Sequence, residues 1–257
     1  MQKTFLLLGV LFIGVLVSTT AFALDPMGPP AATIDKGGWA IGLESSYSDI
    51  ELERQPTSWS SAQRNVDILM HRVYGNLSYG ISENVTGFLR AGGATLEWDE
   101  MPSRRYAWEG DGGNWDFAWG AGVKATLAES GDTTWGFVGQ IGRSVLTGDQ
   151  TDNSGSEPDA EYEVTFNEVQ IAFGPTWKAS DSVRIYGGPF VDFISGRWQD
   201  EWADDDDKPR KPIEEEGFWG GYLGAAIDLS KNSCLNVEGA FVENGWSVAA
   251  GVMWRCK

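Results

Sequence analysis

The sequence predicts an all-β chain: an antiparallel, up-and-down transmembrane β-barrel of about ten strands. Three observations predict it. Beyond residue 38 the side chains alternate with period two, the pattern of a pleated strand. Within that alternation, bulky apolar residues fall on one face and glycine, alanine, serine, threonine and scattered charges on the other. The connections alternate between tight turns and long charged loops. Eight strands is the alternative count, should two of the segments be misassigned.

The chain opens with an export signal. Lys3 gives a positive start, residues 5–17 (FLLLGVLFIGVLV) form a continuous apolar run, and small residues stand at Ala21 and Ala23. This is the layout of a secretory signal peptide, residues 1–23, with cleavage expected after Ala23. The run is shorter than the roughly 20 residues of a spanning helix. No cysteine follows the cleavage position, so no lipid anchor is expected there. Residues 24–38 (LDPMGPPAATIDKGG) are rich in Pro and Gly and read as an irregular periplasmic lead-in to a barrel domain, 39–257.

Strands follow in order. Trp39, Ile41, Leu43 and Tyr47 share a face opposite Ala40, Gly42, Glu44 and Ser46. Trp115, Phe117, Trp119, Val123 and Leu127 oppose Asp116, Ala118, Gly120, Gly122, Lys124 and Thr126. Trp246, Val248, Val252 and Trp254 oppose Ser247, Ala249, Gly251 and Met253. The expected spans are 38–50, 65–81, 85–97, 114–128, 133–147, 161–178, 182–195, 217–230, 234–243 and 246–255. Segments 65–81 and 161–178 change phase partway, which predicts either a β-bulge or a misread pattern. Residues 82–84, 129–132, 179–181 and 231–233 are tight turns, and Asn244 with Gly245 is a hairpin dipeptide. Residues 51–64, 98–113, 148–160 and 196–216 are long and charged. With both termini periplasmic, an even strand count puts every long loop outside.

The distribution of bulk separates a membrane barrel from a soluble one. A soluble barrel fills its interior with large apolar groups. Here the small face belongs inside and the bulky face outside, an arrangement stable only under lipid. Of 13 tryptophans, Trp39, Trp115, Trp135, Trp177, Trp246 and Trp254 fall near strand ends, where an aromatic girdle is expected. The soluble alternative, a Trp-rich sugar-binding sandwich, leaves the glycine-rich faces unexplained. With 37 acidic against 19 basic residues, nucleic acid is excluded as a partner, since its phosphates need Lys and Arg.

The hairpin at residues 79–92 (YGISENVTGFLRAG) resembles those of outer-membrane β-barrel domains of the OmpA/OmpX-like class. The signal peptide, the Pro-rich lead-in and the last strand are similar to that class as well. The resemblance implies the outer membrane of a diderm bacterium, contact with outer-membrane lipids and lipopolysaccharide, and insertion by the outer-membrane assembly machinery. Such barrels end on an aromatic residue, whereas here Trp254 is followed by Arg255, Cys256 and Lys257. No peptidoglycan-binding domain is expected after the barrel.

Residues that could carry chemistry are few. The expected inward charges are Glu44, Arg72, Arg90, Asp116, Lys124, Arg184, Asp192, Asp228 and Glu238. They form either an ion-paired plug, since unpaired charges in a narrow lumen cost several kcal/mol each, or a polar pore lining. His71 is the single histidine, so any Ser-His-Asp or Asp-His arrangement would have to use it. Asp204, Asp205, Asp206 and Asp207 are a weak candidate for a divalent cation, though a charge run is usually a solvated loop. Cys234 and Cys256 flank the last hairpin and are expected to form a disulfide stapling its periplasmic end. No cofactor motif occurs. The leading expectation is a non-enzymatic barrel, structural or porin-like for small solutes. The alternatives are recognition of a surface ligand through the acidic loops and an outer-membrane hydrolase using His71.

Overall fold

Period-two sequence becomes strand along most of the chain. The computed structural model describes residues 25–54, 64–100, 108–111, 114–152, 160–201, 210–243 and 245–256. The strand segments are β1 (Trp39–Arg54), β2 (Arg64–Ser82), β3 (Val85–Glu100), β4 (Trp108–Asp111), β5 (Asp116–Ser130), β6 (Thr133–Asp152), β7 (Ala160–Lys178), β8 (Val183–Glu201), β9 (Arg210–Ser230), β10 (Ser233–Val242) and β11 (Gly245–Cys256). Segments β4 and β5 both pair with β3 and with β6, so they form one interrupted stave. The antiparallel sheet therefore has ten staves, and it closes where β1 pairs with β11 from Trp39↔Cys256 to Ile50↔Gly245. Closure leaves no unpaired edge, as a lipid environment demands. The eight-strand alternative does not form.

Several strands outrun their expected ends. Residues 196–201 and 210–216 were expected to be loop, yet Gly196↔Ile213 through Gln199↔Arg210 pair as the tops of β8 and β9. The same holds for the top of β6, which runs to Asp152. Here the sequence is charged on both faces, so the alternation that marks a strand with one buried face is absent.

Neither segment changes phase partway, although β2 carries an irregularity at its end, where its register against β3 shifts between Gly80 and Ser82. β2 keeps one register against β1 from Arg64 to Tyr79, and β7 keeps one register against β6 from Ala160 to Trp177. The pattern misled because the inward face itself changes character along the barrel. Toward the long-loop end it carries Ile68, Met70, Leu96, Leu146, Tyr162, Val164, Phe166 and Ile194, all buried. Nearer the short turns, small and charged residues share the inward face with Tyr74, Phe88, Tyr186 and Tyr222, also buried. Register shifts do occur elsewhere, between Thr126 and Ala128 and between Ile194 and Gly196 among others.

Outside, the expectation holds. Ile41, Leu43, Leu89, Ile141, Phe173, Leu223, Val237 and Val248 are exposed on the outer wall. No helix among the described residues is long and apolar enough to cross a membrane; the strands do so.

The disulfide is corrected. Both cysteines are free, Cys234 buried and Cys256 exposed. Cys234 pairs with Met253, three residues short of Cys256, while Cys256 pairs across the seam with Trp39. Alternation also sends the two thiols to opposite faces of the sheet, so no disulfide geometry is reachable.

Candidate functional site

Residues 25–38, expected to lie in the periplasm ahead of the barrel, run inside it. At the short-turn end Gly37 N donates to Gly80 O and Gly80 N to Gly38 O. Farther in, Thr33 N and Ile34 N both donate to Thr86 Oγ1, at 3.1 and 3.2 Å, and Ala32 N donates to Thr126 Oγ1 at 3.2 Å. Met27 N and Gly28 N donate to the two carboxylate oxygens of Glu238, at 2.8 and 2.7 Å. A segment with no strand or helix partner of its own thus has its amides satisfied by the wall, which buried backbone requires. The wall makes room with glycine: a Cβ on Gly136 would overlap the backbone of Ala31, and one on Gly80 that of Asp35.

The inner end of this segment is Asp25, buried at mid-lumen. Arg72 Nη1 donates to its Oδ1 at 2.9 Å and Arg90 Nη2 to its Oδ2 at 2.6 Å. Arg72 Nη2 also binds Glu168. Arg90 Nη1 reaches Pro26 O at 3.2 Å and Glu44 Oε1 at 3.5 Å, and its guanidinium lies 5.2 Å from the Tyr74 ring centroid. Gln140 Nε2 donates to the Asp25 carbonyl at 3.3 Å and to Gln170, whose own Nε2 donates to Asp192 Oδ2 at 3.3 Å. Charge-assisted pairs of this kind rigidify a site when every partner is satisfied.

The structure thus gathers Glu44, Arg72, Arg90, Asp192 and Glu238 of the expected inward charges around the N-terminal segment. Lys124 stands beside them, its Nζ 5.7 Å from the Phe88 ring centroid. The other three lie apart. Asp116, toward the long-loop end, accepts from Thr147 N and Oγ1 at 2.5 and 2.9 Å. Arg184 and Asp228 pair at 2.7 Å near the short turns. Sequence reasoning missed Asp25 and Glu168. Glu168 was hidden by the misread phase of its strand. Asp25 sits in a stretch without periodicity, where its single warning was a carboxylate directly before a Pro-rich run in a lumen already rich in arginine.

Between the segment and the wall lies a cavity of about 50 Å³, lined among others by Met27, Glu44, Asn76, Thr86, Lys124 and Glu238. Small-molecule sites are roughly 300–1,000 Å³, so this space suits a few waters. Farther toward the long-loop end the inward side chains of Tyr162, Val164 and Phe166 are buried.

His71 is not part of this interior. It is exposed on the outer wall, edge-on to Tyr47 with ring centroids 4.5 Å apart. Among the described residues no cluster suits a metal ion; Asp204 to Asp207 lie outside the described residues. Trp39, Trp135, Trp177 and Trp254 stand exposed on the outer wall near the short turns, and Trp115 near the long-loop end. Trp246 is half-buried against Tyr47, centroids 5.4 Å apart.

A closed ten-stave sheet with a bare apolar exterior and a polar, charged mid-lumen has one environment in which it is stable, a lipid bilayer. The fold is that of an outer-membrane β-barrel. One solved structure agrees: the outer membrane protease OmpT from Escherichia coli superposes with a TM-score of 0.57 at 11% identity, over 88% of this chain and 99% of that one. The translocator domain of autotransporter NalP from Neisseria meningitidis gives 0.49 at 11% identity, over 86% and 90% of the two chains. The Pseudomonas putida toluene transporter TodX gives 0.43 at 8% identity, over 92% and 99%. No family model matches the chain, and no curated protein matches its sequence. At such identities the likeness is one of fold, and the location in the outer membrane of a diderm bacterium follows from that fold and its exterior.

Proposed function

We propose that this is a closed, non-enzymatic outer-membrane barrel, one that reinforces the membrane and meets its surroundings through the long loops and strand tops rather than through a pore. The observation that carries the reading is the filled lumen. Residues 25–38 occupy the short-turn half, Asp25 ties them to Arg72 and Arg90, and Tyr162, Val164 and Phe166 are buried on the far side. In this reading the short turns face the periplasm. Trp39, Trp135, Trp177 and Trp254 then mark the inner lipid boundary and Trp115 and Trp246 the outer one, indole bodies in lipid and N–H groups toward headgroups. Lipopolysaccharide is the outer neighbour, and the assembly machinery is the partner during insertion. His71 faces outward from the wall, which favours an ordinary lipid-boundary residue over a hydrolase.

The test is single-channel conductance of the exported, purified protein in a planar bilayer. Silence from correctly inserted barrels is the expected result. Discrete, reproducible openings would overturn the closed-barrel reading in favour of the small-solute pore.

A further inference from the structure

The seat of the Asp25 carboxylate is built by the wall and only filled by the internal segment. Arg90, Gly120, Gly142 and Glu168 are cross-strand neighbours in one row over β3, β5, β6 and β7. The two glycines leave the middle of that row bare. A Cβ on Gly120 would stand 2.6 Å from Arg90 Nε, and one on Gly142 would stand 3.1 Å from Asp25 Oδ2. Arg90 therefore lies across Gly120, and the carboxylate rests over Gly142. Arg72, from β2, meets the other oxygen. Glycine inside a strand forfeits packing and marks a place where a ligand or another chain segment comes close.

The wall also holds both guanidiniums without help from Asp25. Arg72 Nη2 binds Glu168. Arg90 Nη1 reaches Glu44, and its guanidinium lies 5.2 Å from the Tyr74 ring centroid. Each arginine so keeps a wall carboxylate of its own and gives its other terminal nitrogen to one shared acceptor. Arg72 Nη1 takes one oxygen at 2.9 Å and Arg90 Nη2 the other at 2.6 Å. Two charged donor sets, one for each oxygen, match a carboxylate; a halide offers a single centre. Donor capacity is left over. Arg72 Nε and Arg90 Nε are buried without a partner among the described residues, and buried donors of this kind call for an acceptor. We propose that Arg72 and Arg90 form a receptor for one small monocarboxylate anion. Asp25 is its tethered occupant, and a free carboxylate of formate size takes the same seat when residue 25 does not fill it. A tethered group competes at an effective concentration of about millimolar, which keeps the seat taken in the intact chain. The proposal is read through stability, so it stands whether or not the barrel conducts.

The experiment uses protein exported to, and purified from, the outer membrane, then placed in lipid vesicles. Asp25→Ala empties the seat. Urea unfolding is followed by tryptophan fluorescence in sodium formate, and in sodium chloride at equal ionic strength. Formate should stabilise Asp25→Ala saturably, raising the folded-to-unfolded ratio roughly tenfold when present at about ten times its dissociation constant. The wild type, whose seat is taken, should show no such rise. Adding Arg90→Lys to Asp25→Ala should weaken the formate affinity roughly tenfold, because an ammonium lacks the planar fork. Should Asp25→Ala not insert, Asp25→Ser leaves the same room with a small polar group beside the arginines and takes its place in the titration. Stabilisation by formate alone, lost with Arg90→Lys, supports the proposal. An equal effect of chloride, an equal effect on the wild type, an undiminished response with Arg90→Lys, or no formate effect on a folded Asp25 variant overturns it.

Discussion

Asp25→Asn offers the sharpest measurement of what holds the lumen together. The amide keeps the shape of the side chain and removes its charge. In the wild type one carboxylate accepts from two guanidiniums at 2.9 and 2.6 Å, with side-chain exposures of 1% for each arginine and 3% for the acid. Two unit charges 4 Å apart attract by about 4 kcal/mol at an effective dielectric of 20, which sets the scale of each pair. The substitution leaves Arg72 with Glu168, so most of its compensation survives. Arg90 keeps the Pro26 carbonyl at 3.2 Å and, as a carboxylate partner, the partly exposed Glu44 at 3.5 Å. The loss should therefore fall at about 3–5 kcal/mol, the range for a buried pair broken on one side. Equilibrium urea unfolding in lipid vesicles, followed by tryptophan fluorescence, measures it. Glu44→Gln is the internal comparison, expected at about 1 kcal/mol because its contact is long and wetter. If Asp25→Asn and Glu44→Gln cost the same, the segment is not anchored by its aspartate and the description of the site is wrong.

Other outcomes follow from the same geometry. Gly136→Val drives a side chain into Ala31; it should cost about 1–3 kcal/mol by overpacking and raise protease cleavage within residues 25–38 of the folded protein. Leu89→Arg places a charge on an outer-wall position that is 60% exposed, which should cost about 2–4 kcal/mol if that position lies at the bilayer midplane, whereas the same protein should lose little if the wall faces water. Whole-protein mass should show two free thiols, with Cys256 alkylated quickly in the folded state and Cys234 only after unfolding. In the short turn, Lys178 hydrogen-bonds Asp181 at 2.8 Å and holds its carboxyl below the usual range. A depressed folded pKa means the contribution is present above the unfolded value and lost as pH falls through the folded one. The pair is fully exposed, so Asp181→Asn should leave the neutral-pH midpoint unchanged.

The strands were legible because lipid on one side and protein on the other impose alternation: Leu43 and Glu44 could be placed on opposite faces from neighbours alone. Where that asymmetry lapses, legibility lapses too. Ile68, Met70 and Tyr162 point inward with the same bulk that Leu69 and Val73 show outward, and this produced two false phase changes. The tops of β8 and β9 are polar on both faces and read as loop. Residues 25–38 take their structure from Thr86, Thr126 and Glu238, partners far away in sequence, and nothing local marks such a segment. The cysteine pairing failed on register, since residues that look adjacent across a hairpin turn out three apart.

Those distant partners bear on the order of assembly. Met27 and Glu238 are 211 residues apart, so the first part of the barrel domain to be made is held by one of the last. Contacts of such separation form late and slow folding. Until β10 arrives, the amides of Met27 and Gly28 lack the Glu238 carboxylate that receives them. Docking of the segment can therefore report that the wall is complete, a built-in check that a half-closed sheet cannot pass.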